Sequence, residues 1–365
     1  MKICFLAAAN SIHSHRWIKF FADKKGYEVH WISLTPNIFD DIKGVEFYKL
    51  REFPAKPLDI LFNAILVRRL IKKINPDILH AHYAGVYGVL GALSGFHPYI
   101  LTAWGSDILI AGKSKITKPL IKLALKKADL ITCDAEHMEK AMTELEADSS
   151  KIKIVYFGVD TRKFSPGSKD EKLIEKLKIQ NCPAIISLRN FDPIYNLETL
   201  IKSIPLVLKE VPEAKFIIAG RGSEEEKLKI LAEDLGVLKS IKFVGWISNE
   251  ELPEYLRTAD IYVSTSLSDA GIASSTAEAM ACGLPVVITD TGDNKEWVKD
   301  GENGFIVPVK SPKRLAEKII YLLKNEEKRK TFGKISRKII ENKNNYYLEM
   351  AKVEEIYKQL IKNNE

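Results

Sequence analysis

"ADIYVSTSLSDAGIASSTAEAMACGLPVVITD", residues 259–290, changes its periodicity twice. "ADIYVST" is a short β-branched and aromatic run bounded by polar residues, which reads as a strand. "SSTAEAMACG" has helix propensity through Met280 and a glycine placed for a C-cap, and Leu284–Ile288 is apolar again. A strand, a loop, a helix and a second strand in this order form one repeat of a parallel α/β sheet.

The same alternation runs outward in both directions. Towards the middle of the chain lie "AIISLRN", the helix "LETLIKSIPLVLKEV", "AKFIIAG", a charged helix over 223–235, and "IKFVGW". The first half repeats the habit with "KICFLAA", a helix at "HRWIKFFADKK", "EVHWISL", a helix at "ILFNAILVRRLIKKI", "DILHAHY", a further helical stretch, "YILTAW", "KADLITCDA" and "KIKIVYFG". At 365 residues the chain exceeds one ordinary core. The periodicity lapses in "YFGVDTRKFSPGSKDEK", the segment expected to join two domains. The expected fold is α/β, two doubly wound Rossmann-like domains facing across a cleft. Residues 1–160 form the first, 161–345 the second, and 346–365 a C-terminal helix crossing back to the first. Ligands of such sheets lie beyond the carboxyl ends of the strands, so the loops there carry the chemistry.

Composition narrows the class. The net charge of +7 lies wholly in residues 1–165, and the remainder is neutral. An anionic partner is expected for the first half, and nucleic acid is disfavoured without interleaved exposed aromatics. Cys4, Cys133, Cys182 and Cys282 show no metal or disulfide spacing and read as reduced thiols. No window approaches a membrane span, so a cytoplasmic protein is expected, with peripheral contact at the inner face of the membrane as an extension.

Read from spacing alone, Ser275 and Glu278 fit a capping box that would close the helix N-terminus. The same N-terminus, preceded by Gly271 and small residues, also fits an anion site, with Glu278 serving a ribose diol. Both readings stand at this level.

"ADIYVSTS…AEAMACGLPVVITDTGDNKEWVKDGENGFIVP", together with "GVDTRKFSP", "GRGSEEEKL" and "KFVGWISNEELPEYLRTADIYV", closely resembles the group 1 glycosyltransferases, retaining enzymes of GT-B fold. The likeness covers nearly the whole chain and is strongest over 155–308. It implies that Glu278 binds the nucleotide ribose, that the amides of Gly271, Ile272, Ala273, Ser274 and Ser275 hold the diphosphate, and that Arg189 contacts it. An arginine suits that role because its planar fork stays charged and pairs two phosphate oxygens. The other post-strand loops offer Asn196, Arg221, Gly245 and Trp246 to the donor. The sequence departs from the family pattern at two places. Ala270 stands where another acid is usual, with Asp269 one residue earlier, and Ile194, Tyr195 and Asn196 stand where a lysine commonly follows the arginine. Arg221 is either a second phosphate contact or an exposed loop residue.

In the first half, Asn10, His15 and Arg16 follow the first strand and face the expected cleft, open to an acceptor or to the donor's phosphate. His80 and His82 share one side of their strand, with His82 further out as a candidate base. Two histidines without a carboxylate cluster, and no DxD motif, point away from metal. Trp104 reads as a stacking surface for a sugar or as core, and Asp107 as a carboxylate for sugar hydroxyls. Lys118, Lys122 and Lys126 recur every four residues beside apolar positions, the pattern of a membrane-surface helix or of a helix packed on the sheet. The expected function is transfer of a sugar from a UDP- or GDP-type donor to a glycan or lipid-linked acceptor, with retention and without a metal or other cofactor. The alternatives are a nucleotide-sugar epimerase of the same fold and a non-catalytic nucleotide-sugar-binding subunit.

Overall fold

The computed structural model describes residues 1–51, 56–269 and 271–363, so Ala270 lies outside the described residues. The chain divides into two compact units, Met1–Phe157 with Tyr347–Glu365, and Gly158–Tyr346.

The first unit is a seven-stranded parallel sheet. Its strands are β1 (Lys2–Leu6), β2 (Glu28–Ser33), β3 (Val45–Lys49), β4 (Ile78–His82), β5 (Tyr99–Thr102), β6 (Leu130–Cys133) and β7 (Ile152–Ile154), in the order β3-β2-β1-β4-β5-β6-β7. Strands β1 and β4 are buried on nearly every residue, which is why they read as continuous apolar runs. One face, with Cys4, Leu6, Leu79 and Leu101, packs in one core with the helices Lys56–Ile74, Val86–Ser94 and Lys118–Lys127. On the other face, Phe5 and His80 meet Trp17 and Phe21 of the helix Ile12–Ala22 and Tyr357 of the C-terminal helix Tyr346–Lys362. A buried chain of hydrogen bonds anchors that last helix. The Tyr357 hydroxyl meets His80 Nδ1 at 2.5 Å, His80 Nε2 meets Thr102 Oγ1 at 2.7 Å, and Thr102 meets Thr132 at 2.6 Å.

The second unit is a six-stranded parallel sheet of β8 (Ala184–Ser187), β9 (Lys215–Ala219), β10 (Ile241–Gly245), β11 (Ile261–Ser264), β12 (Val286–Thr289) and β13 (Gly304–Val307), ordered β10-β9-β8-β11-β12-β13. In both units the strand order reverses beside the first strand, between β1 and β4 and between β8 and β11. A doubly wound sheet opens its binding crevice at that point. The segment after Phe157 is fastened within the second unit by Arg337, whose guanidinium donates to the carbonyls of Thr161, Phe164 and Ala281.

Close packing of two helices here has a testable cost. A Cβ on Gly333, in the helix Glu326–Lys343, would lie 2.0 Å from the Gly283 carbonyl oxygen just past the helix Ser274–Ala281. Backbone cannot yield as a side-chain tip does, so Gly333→Ala should cost at least about 2 kcal/mol in denaturant unfolding. An unchanged midpoint would show that these helices are not held at this distance.

Candidate functional site

At the switch point of the second unit, Arg189 leaves the end of β8 and is almost completely buried. Its Nη2 donates to Asp269 Oδ1 at 2.6 Å, an ion pair whose side chains are 10% and 7% exposed. Nη1 lies 3.5 Å from Ser275 Oγ, and the guanidinium sits 4.5 Å above the Tyr195 ring. Nε is buried and has no hydrogen-bond partner among the described residues. An orphaned, charged N–H of this kind is costly unless something else completes it.

Each neighbour is placed by the backbone around it. Tyr195 is set by a short turn at 193–195 that is stitched to the loop after β11. Leu267 N donates to Ile194 O at 2.8 Å, and the Thr265 hydroxyl donates to Tyr195 O at 3.1 Å. Asn196 holds the N-cap position of the next helix at φ +49° without a side-chain cap bond, and its side-chain amide donates to Thr199 Oγ1 at 2.8 Å. Asp269 is held where it is because Gly292, at φ +51°, passes under it. A Cβ at Gly292 would lie 2.1 Å from the Asp269 carbonyl oxygen. Burial raises the Asp269 pKa, and the Arg189 charge, Ser266 and Asn294 pull the other way.

The helix at this site spans Ser274–Ala281, with Ala273 at the N-cap and no side-chain cap. Ser275 therefore does not close a capping box with Glu278. Its hydroxyl instead bonds the buried Tyr262 hydroxyl at 2.8 Å. The helix start lacks a side-chain acceptor for its first amides, the state an anion completes. Gly271 is buried, Ile272 and Ala273 half-buried, and Ser274 exposed, while Glu278 is half-buried one turn further on.

The remaining second-unit candidates line the neighbouring loops. Phe191 N donates to Arg221 O at 3.0 Å and Gly220 N to Gly245 O at 2.8 Å, so the ends of β8, β9 and β10 stand in a row. The Arg221 side chain is exposed, and Trp246 is 64% exposed.

The first unit places its candidates differently. His82, at the end of β4, is 1% exposed and enclosed by Phe5, Trp17, His80 and Trp104. Its Nδ1 meets Ser14 Oγ at 3.2 Å, and its Nε2 has no partner among the described residues. Burial lowers its pKa to about 3, with His13 adding to the effect. Trp104 stacks on Phe157 at 4.7 Å and 13°, so that face of the indole is covered rather than open to a sugar. Asp107 is fully buried. It accepts from the amides of Ala84 at 2.6 Å, Gly105 at 2.9 Å and Trp104 at 3.1 Å, pinning the loop after β5 to the loop after β4. Burial raises its pKa against those backbone bonds. That is a loop-holding role, distinct from one in binding sugar hydroxyls.

His15 is 6% exposed, packed against the Phe39 ring at a tilt of 37° and paired with Asp41 at 2.6 Å, while Asn10 is exposed and Arg16 half-buried. His13 and Phe157, which sequence reasoning passed over, complete the group. His13 lies 4.3 Å from Phe157 and 5.7 Å from Trp104, and burial, with Arg16, lowers its pKa to about 4. On the helix Lys118–Lys127, Lys122 pairs with Glu146 at 2.5 Å, and the charges of Lys118 and Lys126 also act on that carboxylate. Among the described residues, no three His, Cys, Asp or Glu side chains come together in a way that would hold a metal ion. No described helix is long and apolar enough to cross a membrane. Cys4, Cys133 and Cys282 are buried free thiols, and Cys182 is half-buried.

Two Rossmann-like α/β units, seven- and six-stranded, are the architecture of the GT-B fold. The model of the glycosyl transferases group 1 family matches residues 168–339, and that of the glycosyl transferase 4-like family matches residues 2–135. The chain belongs to the group 1 glycosyltransferases, enzymes that transfer a sugar. It is 24% identical over 331 residues to N-acetyl-alpha-D-glucosaminyl L-malate synthase of Bacillus anthracis, covering 87% of this chain and 85% of that one. It is 27% identical to a GDP-mannose-dependent alpha-(1-6)-phosphatidylinositol monomannoside mannosyltransferase of Mycolicibacterium smegmatis, covering 66% and 65%. In fold it is similar to a glycosyltransferase of Rickettsia africae, at a TM-score of 0.85, 20% identity and coverage of 99% and 98%. It is also similar to Anabaena HepE in complex with UDP, at a TM-score of 0.83, 20% identity and coverage of 99% and 100%.

Proposed function

We propose that the chain moves a hexose from a UDP- or GDP-type donor to a glycan or lipid-linked acceptor with retained anomeric configuration. The second unit binds the donor and the first the acceptor. The observation that carries this reading is the buried Arg189 fork, one N–H of which is orphaned, beside the uncapped start of the helix Ser274–Ala281. A departing diphosphate gains negative charge. A guanidinium and helix-start amides already aimed at it lower the barrier without reorganising, and no cofactor or metal is assigned a part. Retention is proposed from the family resemblance. The leaving phosphate takes the acceptor proton as the new bond forms, because His82 is shut in by aromatic rings and stays neutral far below pH 7.

The orphaned fork would serve a transferase, an epimerase or a binding subunit alike, so turnover decides between them. Incubation with UDP-, GDP-, ADP- and CMP-sugars should therefore show donor cleavage with one diphosphate donor. Nucleotide affinity with no turnover for any of them would return the binding-subunit reading, and isomerised donor the epimerase reading.

Glu278 is proposed as the ribose ligand. A carboxylate accepting from a hydroxyl contributes about 1.5–3 kcal/mol, so Glu278→Gln should weaken nucleotide affinity by about tenfold or more with the melting temperature nearly kept. Equal affinity in variant and parent would leave Glu278 with a structural role only.

A further inference from the structure

The arginine assigned to the donor's diphosphate already holds an anion of the protein's own. Asp269 Oδ1 accepts from Arg189 Nη2 at 2.6 Å, with the two side chains nearly out of water. An incoming anion therefore meets a neutral pair and not a free cation. A diphosphate laid on the same guanidinium would stand beside the Asp269 carboxylate, and like charges at that range, shielded from solvent, disfavour each other's ionised form.

The carboxylate has little freedom to move away. A Cβ on Gly292 would lie 2.1 Å from the Asp269 carbonyl oxygen, so its backbone is pressed on the loop after β12, and Ser266 and Asn294 hold its side chain. It does have a place to put a proton. Asn294 Oδ1 is buried with no hydrogen-bond partner among the described residues, and Ser266 offers a second oxygen. A protonated carboxyl can donate to such an acceptor, which a carboxylate cannot do. Burial already pushes the Asp269 carboxyl above its ordinary range, against the pull of Arg189. Arg189, backed by the Tyr195 ring, faces it from the loop after β8, and Tyr262 faces it from β11, kept neutral near pH 7 by its own burial. Glu278 and Asp293 stand on the two adjoining segments, so a variant is read against the parent, where their contributions cancel.

We propose that Asp269 is a built-in counter-anion of Arg189, which a donor diphosphate replaces on the guanidinium while Asp269 takes one proton from solvent and donates its O–H to Asn294 or Ser266. This rests on Arg189 as the phosphate ligand and goes beyond it by coupling donor binding to a proton. A site that gains a proton on binding holds its ligand more tightly as pH falls, by up to about tenfold per pH unit.

The test is calorimetric titration of the full chain with UDP-glucose and GDP-mannose at pH 8, 7 and 6, each in two buffers of different ionisation heat, which reads the protons exchanged. These donors are chosen because a diphosphate esterified at both ends has no proton that titrates near neutrality, unlike free UDP or GDP. The parent should take up close to one proton per donor bound, and its affinity should rise as pH falls. Asp269→Asn should bind without that uptake and, at pH 8, about tenfold or more tightly than the parent, since nothing then opposes the phosphate. Equal uptake in parent and variant overturns the proposal. So does an Asn variant that binds more weakly, which would make Asp269 a fixed support for the guanidinium. A parent that binds donor, loses that binding in the Arg189→Ala, Asp269→Asn double variant and exchanges no proton keeps the donor site and overturns the proposal alone. The parent's uptake is measured on the unaltered chain, so it decides even where a variant fails to fold. A parent that binds neither donor overturns the donor-site reading and the proposal together.

Discussion

Arg189→Ala should lower donor turnover at least about 100-fold, the scale of losing one donor that stabilises developing charge. The same change should also cost stability, because Arg189 neutralises a buried carboxylate. With the guanidinium gone, Asp269 keeps Ser266 and Asn294 but loses its counter-charge, and stripping one partner from a buried pair costs about 3 kcal/mol or more. The raised pKa of Asp269 limits the damage, since the carboxyl can take up a proton instead. The two effects separate in the double variant Arg189→Ala, Asp269→Asn. Its melting temperature should return most of the way to the parent, and its turnover should stay low. Restored turnover in that variant would mean that the single change acted through the fold and that Arg189 is no phosphate ligand.

The second large effect is acid lability confined to one unit. All seven histidines lie in the first unit and none in the second. Burial holds His82 at about 3 and His13 at about 4, and pushes His80 well below its ordinary value. In the unfolded chain each protonates near 6.5, so below that pH the unfolded state binds more protons. The stabilisation is complete above pH 6.5 and is lost as pH falls towards the folded values. The unfolded ring is half protonated at pH 6.5, so each such histidine loses about 1 kcal/mol between pH 6.5 and 5.5, and the three together about 3 kcal/mol. Asp107, whose pKa burial raises in the same unit, offsets part of this as it protonates. Denaturant unfolding at pH 7.5 and 5.5 should therefore shift the transition of the first unit and leave the histidine-free second unit nearly in place. Equal shifts in both, or none, would contradict neutral burial of these rings.

The fold was legible wherever a strand is buried on both faces, because such strands are plain apolar runs. It was not legible at β3, "VEFYK", an edge strand whose charged residues face water, nor at β13, a four-residue strand behind a turn. Arg189 was singled out through the family resemblance, on its match in "SLRN". Its environment was not legible. Asp269 and Ser275 meet it from 80 and 86 positions away, and Tyr195 reaches it only because two loops are sewn together by backbone bonds that carry no side-chain signature. Asp107 misleads for the same reason, since its partners are amides that any residue could supply. The helix start at Ser274 differs from a capping box by one or two residues, within the range where spacing alone is weakest.

The central claim is that Arg189 and the start of the helix Ser274–Ala281 hold a diphosphate, and it is tested most directly by calorimetric titration of nucleoside diphosphates against the matching monophosphates. UDP and GDP are compared with UMP and GMP, in the parent and in the Arg189→Ala, Asp269→Asn double variant. The parent should bind one diphosphate at least about tenfold more tightly than its monophosphate, as a charge-assisted contact to the extra phosphate implies, and the variant should lose that advantage while keeping its monophosphate affinity. A variant that still prefers the diphosphate as strongly as the parent does would contradict the claim.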